Sequence, residues 1–482
     1  MTRLAHALLP FRFAPLLALP LGLVPRTAGA ADPPADAAPE AATAASSIAA
    51  LHFPATTRAR LPNGLTLVLE ENHQSPFVAL QLRYAGGSCD EPAGKEGLAA
   101  LTQRMMMMGT RHVPGGGYDA TLDRIGATER GSSAGMESLI QSVTVPSNAV
   151  DSVLWLWSDQ MGFFAPDDPK ALLDARAASV RERDNKVNKV ASGAVYELVT
   201  RAVYPEDHPY QRIPLGVSAE SPTLEDVRVF HDENLGPNEA TLVLVGDFLS
   251  APMLERITTY FAPIPPAPAR SAPRPAPAQL DEEIHLEVAA NVKSPEVWMD
   301  WRTPPFFAAG DADLDAVARA LVGQRWAALR WALVDQLHVA TRVAARQMSH
   351  AFASDFRITA TVAPGHTTSE VASALDGALG TLRKQGLSEV AIAAGRAEFA
   401  VTYLQDLDRA ARRAHIYGEL AAAHRDATGL LGDFGRIDAL TTASVNETIA
   451  RWLPRGHRVI TFVTPDASAP LAGVLRATRG AK

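Results

Sequence analysis

The chain has 482 residues, and its 47% hydrophobic and 20% charged content is that of an ordinary globular protein with ample apolar mass for large cores. A chain of this length exceeds one compact core, so about two to four domains are expected. The formal net charge is -8 and no basic block is present, which argues against a nucleic-acid partner, since such a partner requires clustered Lys and Arg. Cys89 is the single cysteine, which excludes an intramolecular disulfide and a cysteine-based metal site.

The first 31 residues have the order of a secretory signal peptide. Arg3 and Arg12 precede an apolar run at residues 13–24, and small residues follow at residues 27–31. The apolar run is shorter than the ~20 residues that a membrane-spanning helix needs, which disfavours the alternative of a membrane anchor. We therefore predict a signal peptide at residues 1–31, a mature chain without a membrane span, and a protein exported across the inner membrane to the periplasm.

Two further segments lack the composition of a folded core. Residues 32–54 begin with Asp-Pro-Pro-Ala-Asp and continue with small and polar residues, which predicts a flexible N-terminal tether. Residues 262–279 contain seven prolines interleaved with Ala and Arg, which predicts an extended, semi-rigid linker. This linker divides the rest into a first domain at residues 55–261 and a second at residues 280–482, and we expect two self-sufficient cores.

The two halves end in the same pattern. Residues 223–247 and residues 442–466 each contain a capped helix start, a proline turn and a β-branched strand, in that order. An internal duplication explains this better than two coincidental helix–strand units. Alternating apolar positions and amphipathic stretches indicate that strands and long helices are mixed within each half. We predict an α+β fold of two homologous halves, each an antiparallel-rich sheet covered by helices.

Several short motifs recur at the spacing of one known family. They are Leu61-Pro62-Asn63-Gly64-Leu65, Gly87-Ser88-Cys89-Asp90-Glu91-Pro92, Gly97-Leu98-Ala99, Gly109-Thr110, His208-Pro209-Tyr210, Gly216, Pro237-Asn238, Val245-Gly246-Asp247 and Trp301-Arg302-Thr303-Pro304-Pro305. Each is weak alone, but their order over residues 55–470 resembles the pitrilysin/insulinase/mitochondrial-processing-peptidase family of zinc metallopeptidases. The resemblance implies a mitochondrial-processing-peptidase-like fold for both halves.

The resemblance also shows where the chain departs from the active members. These carry H-x-x-E-H on a helix, in which two His bind zinc and the Glu acts as base, and a Glu on a later helix is the third ligand. The matching stretch here places Ala100 and Arg104 at the two histidines and Gln103 at the base. Alanine has no donor atom, arginine is a permanent cation that repels zinc, and a Gln amide cannot accept a water proton.

Glu182 is the candidate for the third-ligand position. It lies on a helix predicted over residues 169–190, but Arg181 and Arg183 flank it, so the register of the match is open. The alternative is an ordinary solvated carboxylate on a helix. A single carboxylate without histidines makes no tight zinc site, and the sequence contains no H-x-x-E-H. We therefore predict no catalytic residue, no metal ligand and no bound zinc.

Two further elements of the family concern peptide binding. The resemblance implies that Val334 and Thr341 replace an Arg and a Tyr that help to bind the substrate backbone in the second domain. It also implies a peptide-binding edge strand near the zinc helix, for which Ser132, Ser133 and Ala134 are the candidates. Edge binding depends on the backbone rather than on special side chains, so peptide binding could persist in a protein that has lost catalysis. The alternative is that this segment is a plain strand and turn without a binding role.

We interpret the chain as a non-catalytic, exported member of this family. Its expected partner is a paralogous catalytic subunit with an intact H-x-x-E-H, beside which it would serve as a structural or substrate-binding subunit in peptide proteolysis. One alternative is a free-standing peptide- or envelope-binding protein, and a less favoured one is an active zinc metallopeptidase with unrecognised ligands. A neighbouring gene for a paralogue with the intact motif would favour the first interpretation.

The signal peptide gives the first prediction. N-terminal sequencing of exported protein should find a mature chain that begins near Ala31 or Asp32, because the small residues at this point suit a signal peptidase. Exported material that begins at Met1 would contradict the prediction.

Overall fold

The computed structural model describes residues 55–190, 192–216, 221–269, 279–423, 435–469 and 474–480. The predicted signal peptide and tether, and residues 270–278 of the predicted linker, lie outside these ranges. No helix within them combines the length and hydropathy that a membrane span requires.

Strands and helices alternate in the same way in both halves. The first half contains strands β1 (Thr56–Arg60), β2 (Thr66–Glu71), β3 (Phe77–Tyr84), β4 (Thr128–Ala134), β5 (Leu139–Pro146) and β6 (Ala240–Gly246). Its helices are α1 (Leu98–Met108), α2 (Gly117–Arg124), α3 (Val150–Gly162), α4 (Pro169–Arg183), α5 (Gly193–Val203), α6 (Leu224–Asn234) and α7 (Ser250–Phe261). The second half contains strands β7 (Ile284–Ala290), β8 (Glu296–Thr303), β9 (Ala340–Met348), β10 (Ser354–Val362), β11 (Val459–Pro465) and β12 (Val474–Gly480). Its helices are α8 (Asp311–Val322), α9 (Ala328–Arg330), α10 (Thr368–Gln385), α11 (Glu389–Leu407), α12 (Ala410–Ala422) and α13 (Thr442–Trp452).

Each half forms one six-stranded sheet, and the two sheets have the same topology. The strand orders are β1-β2-β6-β3-β5-β4 and β12-β7-β11-β8-β10-β9. One pair in each sheet is parallel, β2 with β6 and β7 with β11, and the other pairs are antiparallel. Only the outermost strand differs in origin, because β1 opens the first half and β12 closes the second. The predicted α+β fold of two homologous, antiparallel-rich halves is confirmed.

Local sequence explains how the repeated elements begin. α6 starts after Thr223, whose side chain accepts a hydrogen bond from the N–H of Asp226. α13 starts after Thr441, which accepts one from the N–H of Ser444 in the same way. Each cap satisfies an N–H that the helix leaves without an internal partner. The strands that follow, β6 and β11, occupy the same position in the two sheets, which is why the pattern repeats in the sequence.

The helix expected over residues 169–190 ends earlier than predicted. α4 stops at Arg183, and Asp184–Asn188 forms a π-helical turn. The N–H of Lys189 closes this wider turn on the carbonyl of Asp184 at 2.7 Å. A π-helical turn of this kind shifts the side chains that follow relative to a continuous α-helix. It contains Lys186, which lies at the site described below.

The first residues of the proline-rich segment pack on the first half. Ile264 is buried in the core of that half. The side-chain amide of Asn63 donates hydrogen bonds to the carbonyls of Phe261 and Ile264 at 2.7 and 3.0 Å. The N–H of Ala267 donates to the side chain of Asn238 at 2.7 Å. This segment therefore continues the first core as far as Ala267.

The two halves exchange one helix each. α5 of the first half packs against β7, β8 and β11, and α12 of the second half packs against β2, β3 and β6. Val195, Val199 and Val203 of α5 are buried among residues of the second sheet. On α12, Gly418 allows close approach, since a Cβ there would lie 2.2 Å from Oε1 of Gln81 on β3. The expectation of two self-sufficient cores is therefore corrected, because each sheet is covered by a helix of the other half.

A buried ion pair fixes α12 on the first sheet. The carboxylate of Glu70 on β2 is fully buried. Nε of Arg413 donates to it at 3.0 and 3.2 Å, and the hydroxyl of Tyr417 donates at 2.8 Å. A buried carboxylate is tolerated only where it is paired and hydrogen-bonded in this way, so the sheet and the exchanged helix depend on each other.

Removal of one partner of this pair should be costly. Arg413→Leu leaves Glu70 buried without its cation, and we expect a loss of about 3–5 kcal/mol in the free energy of unfolding. The matched control is Arg412→Leu on the same helix, whose pair with Asp406 is exposed and contributes about 0–1 kcal/mol. Denaturant titration of both variants measures the difference. Equal losses would show that the Glu70 pair contributes no more than the exposed one.

The exchange of α5 and α12 between the halves also predicts how the chain behaves after proteolytic cleavage. Proteolysis within residues 270–278 should leave two fragments that elute together in size-exclusion chromatography, because α5 and α12 each remain buried on the other half. The fragments should separate only in denaturant. Two fragments that separate in buffer and stay folded would restore the view of independent cores.

Candidate functional site

The start of α1 is fixed by a buried carboxylate. Glu91 accepts hydrogen bonds from the N–H groups of Gly97 and Ala99, both at 2.9 Å. Burial raises the pKa of Glu91 to about 8, although the two hydrogen bonds act in the opposite direction and lower it. Gly97 has a left-handed φ of 88°, and a Cβ there would lie 2.6 Å from the carbonyl of Gly216. The entry to α1 therefore has little freedom, and the face of the helix that follows is held in place.

That face lines a cavity of about 470 Å³. Ala100, Gln103 and Arg104 all contribute to its wall. Ala100 is buried and offers no polar atom. The side-chain amide of Gln103 donates to the carbonyl of Ile140 on β5 at 2.9 Å, so this side chain ties α1 to the sheet.

The other side of the cavity carries Glu182, at the end of α4. Its Oε2 accepts a hydrogen bond from Nη2 of Arg104 in a close ion pair. Its Oε1 accepts one from Nζ of Lys186 at 2.6 Å, one helical turn further along. The structure thus brings Ala100, Gln103, Arg104 and Glu182 into one site, where one carboxylate is held by two cations.

The residues at this site do not fit a zinc ion. Glu182 is the only carboxylate that the described residues contribute to the cavity wall, and the guanidinium of Arg104 lies against it. A zinc site needs three or four neutral or anionic donors, and a fixed cation beside the single carboxylate opposes a metal electrostatically. Among the described residues, no group of three His, Cys, Asp or Glu side chains is placed to hold a metal. No catalytic step through zinc can be derived from this arrangement.

Strand β4 forms the third wall of the cavity. Ser132, Ser133 and Ala134 line it, opposite Gln141, Ile140 and Leu139 of β5. β4 lies at the end of its sheet and pairs with no described strand other than β5. Ser132 and Ser133 are exposed. An edge strand of this kind can accept an extended peptide as an additional strand.

A second cavity, of about 560 Å³, adjoins the first and lies between the two halves. The two cavities share Lys186, Val187 and Pro214. Met348 and Asp355 of the second half complete the wall of the second cavity. A chain bound along β4 can therefore meet both halves of the protein.

Val334 and Thr341 lie elsewhere. Val334 belongs to the π-helical turn Trp331–Gln336 and packs on the core of the second half. Thr341 is exposed on β9, and its hydroxyl lies 3.4 Å from the carbonyl of Thr361. Neither residue lines the cavity beside α1. Their assignment as former substrate-clamping positions stays a prediction.

Sequence reasoning missed two residues of the site. Lys186 lies four residues after Glu182, and this i, i+4 spacing was a readable signal for an ion pair on a helix. Glu91 gave no comparable signal, because its role depends on how the loop before α1 folds back on the helix. The assignment of Ala100, Gln103, Arg104 and Glu182 as former zinc positions also stays a prediction, although the structure brings them together.

Comparisons with known proteins agree with this architecture. Residues 66–213 match the family model described as insulinase (peptidase family M16), and residues 221–399 match the model described as peptidase M16 inactive domain. The zinc protease PqqE of Helicobacter pylori is 23% identical over 311 residues, which are 62% of this chain and 68% of that protein.

Two solved structures show the same fold. A protease from Helicobacter pylori has a TM-score of 0.78 at 20% identity, over 86% of this chain and 100% of that chain. The first half of the periplasmic protease PqqL from Escherichia coli has a TM-score of 0.71 at 15% identity, over 88% of this chain and 94% of that chain. The two consecutive family models together cover more than half of the chain and show that it belongs to the pitrilysin/insulinase family, peptidase family M16.

Proposed function

We propose that this protein is a non-catalytic member of the family that binds extended peptides as a subunit beside a separate catalytic zinc peptidase. The observation that carries the proposal is the ion pair of Arg104 with Glu182. It puts a permanent cation at the position where the resemblance expects a metal-binding histidine. Because Ala100 and Gln103 flank it in the same cavity, both the ligand set and the general base are replaced together.

The retained features favour peptide binding over a purely architectural role. The outer edge of β4 is exposed beside the cavity, with Ser132 and Ser133 at its rim. Main-chain hydrogen bonds along such an edge supply affinity without catalytic side chains. The adjoining cavity between the halves gives room for side chains of the bound peptide.

The partner is proposed from the family. This chain is similar in fold and extent to the first half of PqqL, and the resemblance implies that two such units clamp around one peptide chamber. A paralogue with an intact H-x-x-E-H would then supply the chemistry and this chain one wall. A free-standing peptide- or envelope-binding protein is the second candidate, favoured by the fact that β4 and both cavities are formed within one chain.

We propose a periplasmic location. The order of charged, apolar and small residues at residues 1–31 supports export. PqqL of Escherichia coli is a periplasmic protease, and the similarity in fold makes the same compartment a natural choice for this chain.

Metal analysis tests the loss of the zinc site. The unmodified protein should contain far less than one zinc per chain and should not cleave unstructured peptides. The triple variant Ala100→His, Gln103→Glu, Arg104→His restores two histidines one turn apart, and Glu182 lies opposite them as a third ligand. We expect this variant to bind zinc near one per chain, because three good ligands can hold the metal.

The control is the same triple variant with Glu182→Gln, which should bind zinc much more weakly. Tight zinc that ignores this change would remove Glu182 from the site. The proposed function would be overturned if the unmodified protein cleaved peptides, if a chelator abolished this cleavage, and if the cleavage remained after contaminating proteases had been removed.

A further inference from the structure

We propose that the cavity beside α1 binds the C-terminal carboxylate of a peptide that lies along β4. This inference rests on the proposed peptide binding and deepens it, since it names the end of the peptide that the site recognises. The ligand class is an extended peptide with a free α-carboxylate, such as the product of a peptidase that cuts on the carboxyl side of the bound segment.

The charge of the cavity favours an anion. Among the described residues, the charged side chains in its wall are those of Arg104, Lys186 and Glu182, which together carry one net positive charge. Glu182 accepts from one nitrogen of Arg104 and from Lys186. Nε of Arg104 has no hydrogen-bond partner among the described residues, but it is buried and inaccessible to a ligand in the cavity. The spare donors belong to Nζ of Lys186, since an ammonium group carries three and this side chain is 59% exposed.

The neighbouring ion pair offers no such capacity. Arg183 donates to both carboxylate oxygens of Glu197 at 2.8 and 2.9 Å, and also to the carbonyl of Leu215 at 2.8 Å. This pair is closed and has no net charge. Arg183 therefore adds no unpaired cation beside the cavity.

Pairing along the edge of β4 ends beside the cavity. Beyond the strand, the carbonyls of Gly135 and Met136 already accept hydrogen bonds from the N–H groups of Ser88 and Cys89, at 3.0 and 2.9 Å. An added strand therefore cannot pair past this point. The net positive charge repels an N-terminal ammonium group and attracts a carboxylate, so a peptide that runs parallel to β4 and ends here places its α-carboxylate at the favoured position.

Ser132 and Ser133 line the same cavity, and because neighbouring side chains of a strand alternate in direction, one hydroxyl group can face it. A carboxylate there can accept from the Lys186 ammonium and from this hydroxyl group, and the bond to the ammonium is charge-assisted. A neutral peptide carbonyl at the same place can accept the same hydrogen bonds, but without the ionic attraction that a carboxylate adds.

The test compares two peptides that differ only at their C-terminus. Both carry an N-terminal fluorophore, lack acidic side chains and are roughly eight residues long, enough to pair along a strand. One ends in a free carboxylate and the other in an amide. With the whole chain, fluorescence anisotropy should show affinity at least about tenfold higher for the free carboxylate, the ratio expected from one good charge-assisted hydrogen bond.

Lys186→Met should remove most of this preference while Arg104 keeps its pair with Glu182. The matched control is Lys189→Met, which removes the same charge from the same segment. Lys189 donates to the side chain of Asn185 at 3.1 Å and does not line the cavity, so this variant should keep the preference. The circular dichroism of both variants should match that of the unmodified chain.

The outcomes separate the two proposals. Equal affinity for the two peptides would overturn the carboxylate site and leave peptide binding intact. Failure of both peptides to bind would overturn the proposed function itself. Acetate is also added as a competitor at a concentration similar to that of the peptide. If acetate then displaces the peptide, the site binds isolated carboxylates, and the proposed recognition of a peptide end is overturned.

Discussion

The architecture depends on the reciprocal burial of one helix from each half on the sheet of the other. α12 covers β2, β3 and β6, and α5 covers β7, β8 and β11. On one side the contact includes the fully buried Glu70, which Arg413 and Tyr417 neutralise and hydrogen-bond. A carboxylate in this position excludes any other placement of α12, since separation of the partners would leave the charge buried without compensation. Sheet-to-sheet geometry is therefore specified by electrostatics as well as by apolar packing.

This constraint reaches the candidate site through α4 and α5. Glu182 ends α4, the π-helical turn Asp184–Asn188 follows, and α5 then crosses to the second sheet. Lys186 and Val187 in that turn border both cavities. Because α5 is held by the second half, the position of the turn is set from both sides. The cavity beside α1 is thus built by the first half but positioned by the contact between halves.

The fold class and the internal duplication could be predicted from the sequence, because both depend on patterns of neighbouring residues. The capped helices after Thr223 and Thr441 and the buried strands β6 and β11 follow from short-range patterns. The sequence was insufficient for the helix exchange, because no local pattern tells on which of two similar sheets an amphipathic helix will pack. The candidate site likewise contains residues that the sequence predicted and residues that it did not. Ala100, Gln103, Arg104 and Glu182 could be placed by resemblance, whereas the capping role of Glu91 requires the folded loop.

The ion pair of Arg104 with Glu182 links the two helices that face each other across the cavity. With a neutral residue in place of Arg104, Glu182 would face α1 in a partly buried position with the solvent-exposed Lys186 as its partner. Arg104 supplies a cation from α1 itself, so the two helices remain linked as a shared metal would link them. An ion pair of this kind keeps the wall of the cavity rigid, and a rigid wall beside an exposed strand edge is what peptide binding without catalysis requires.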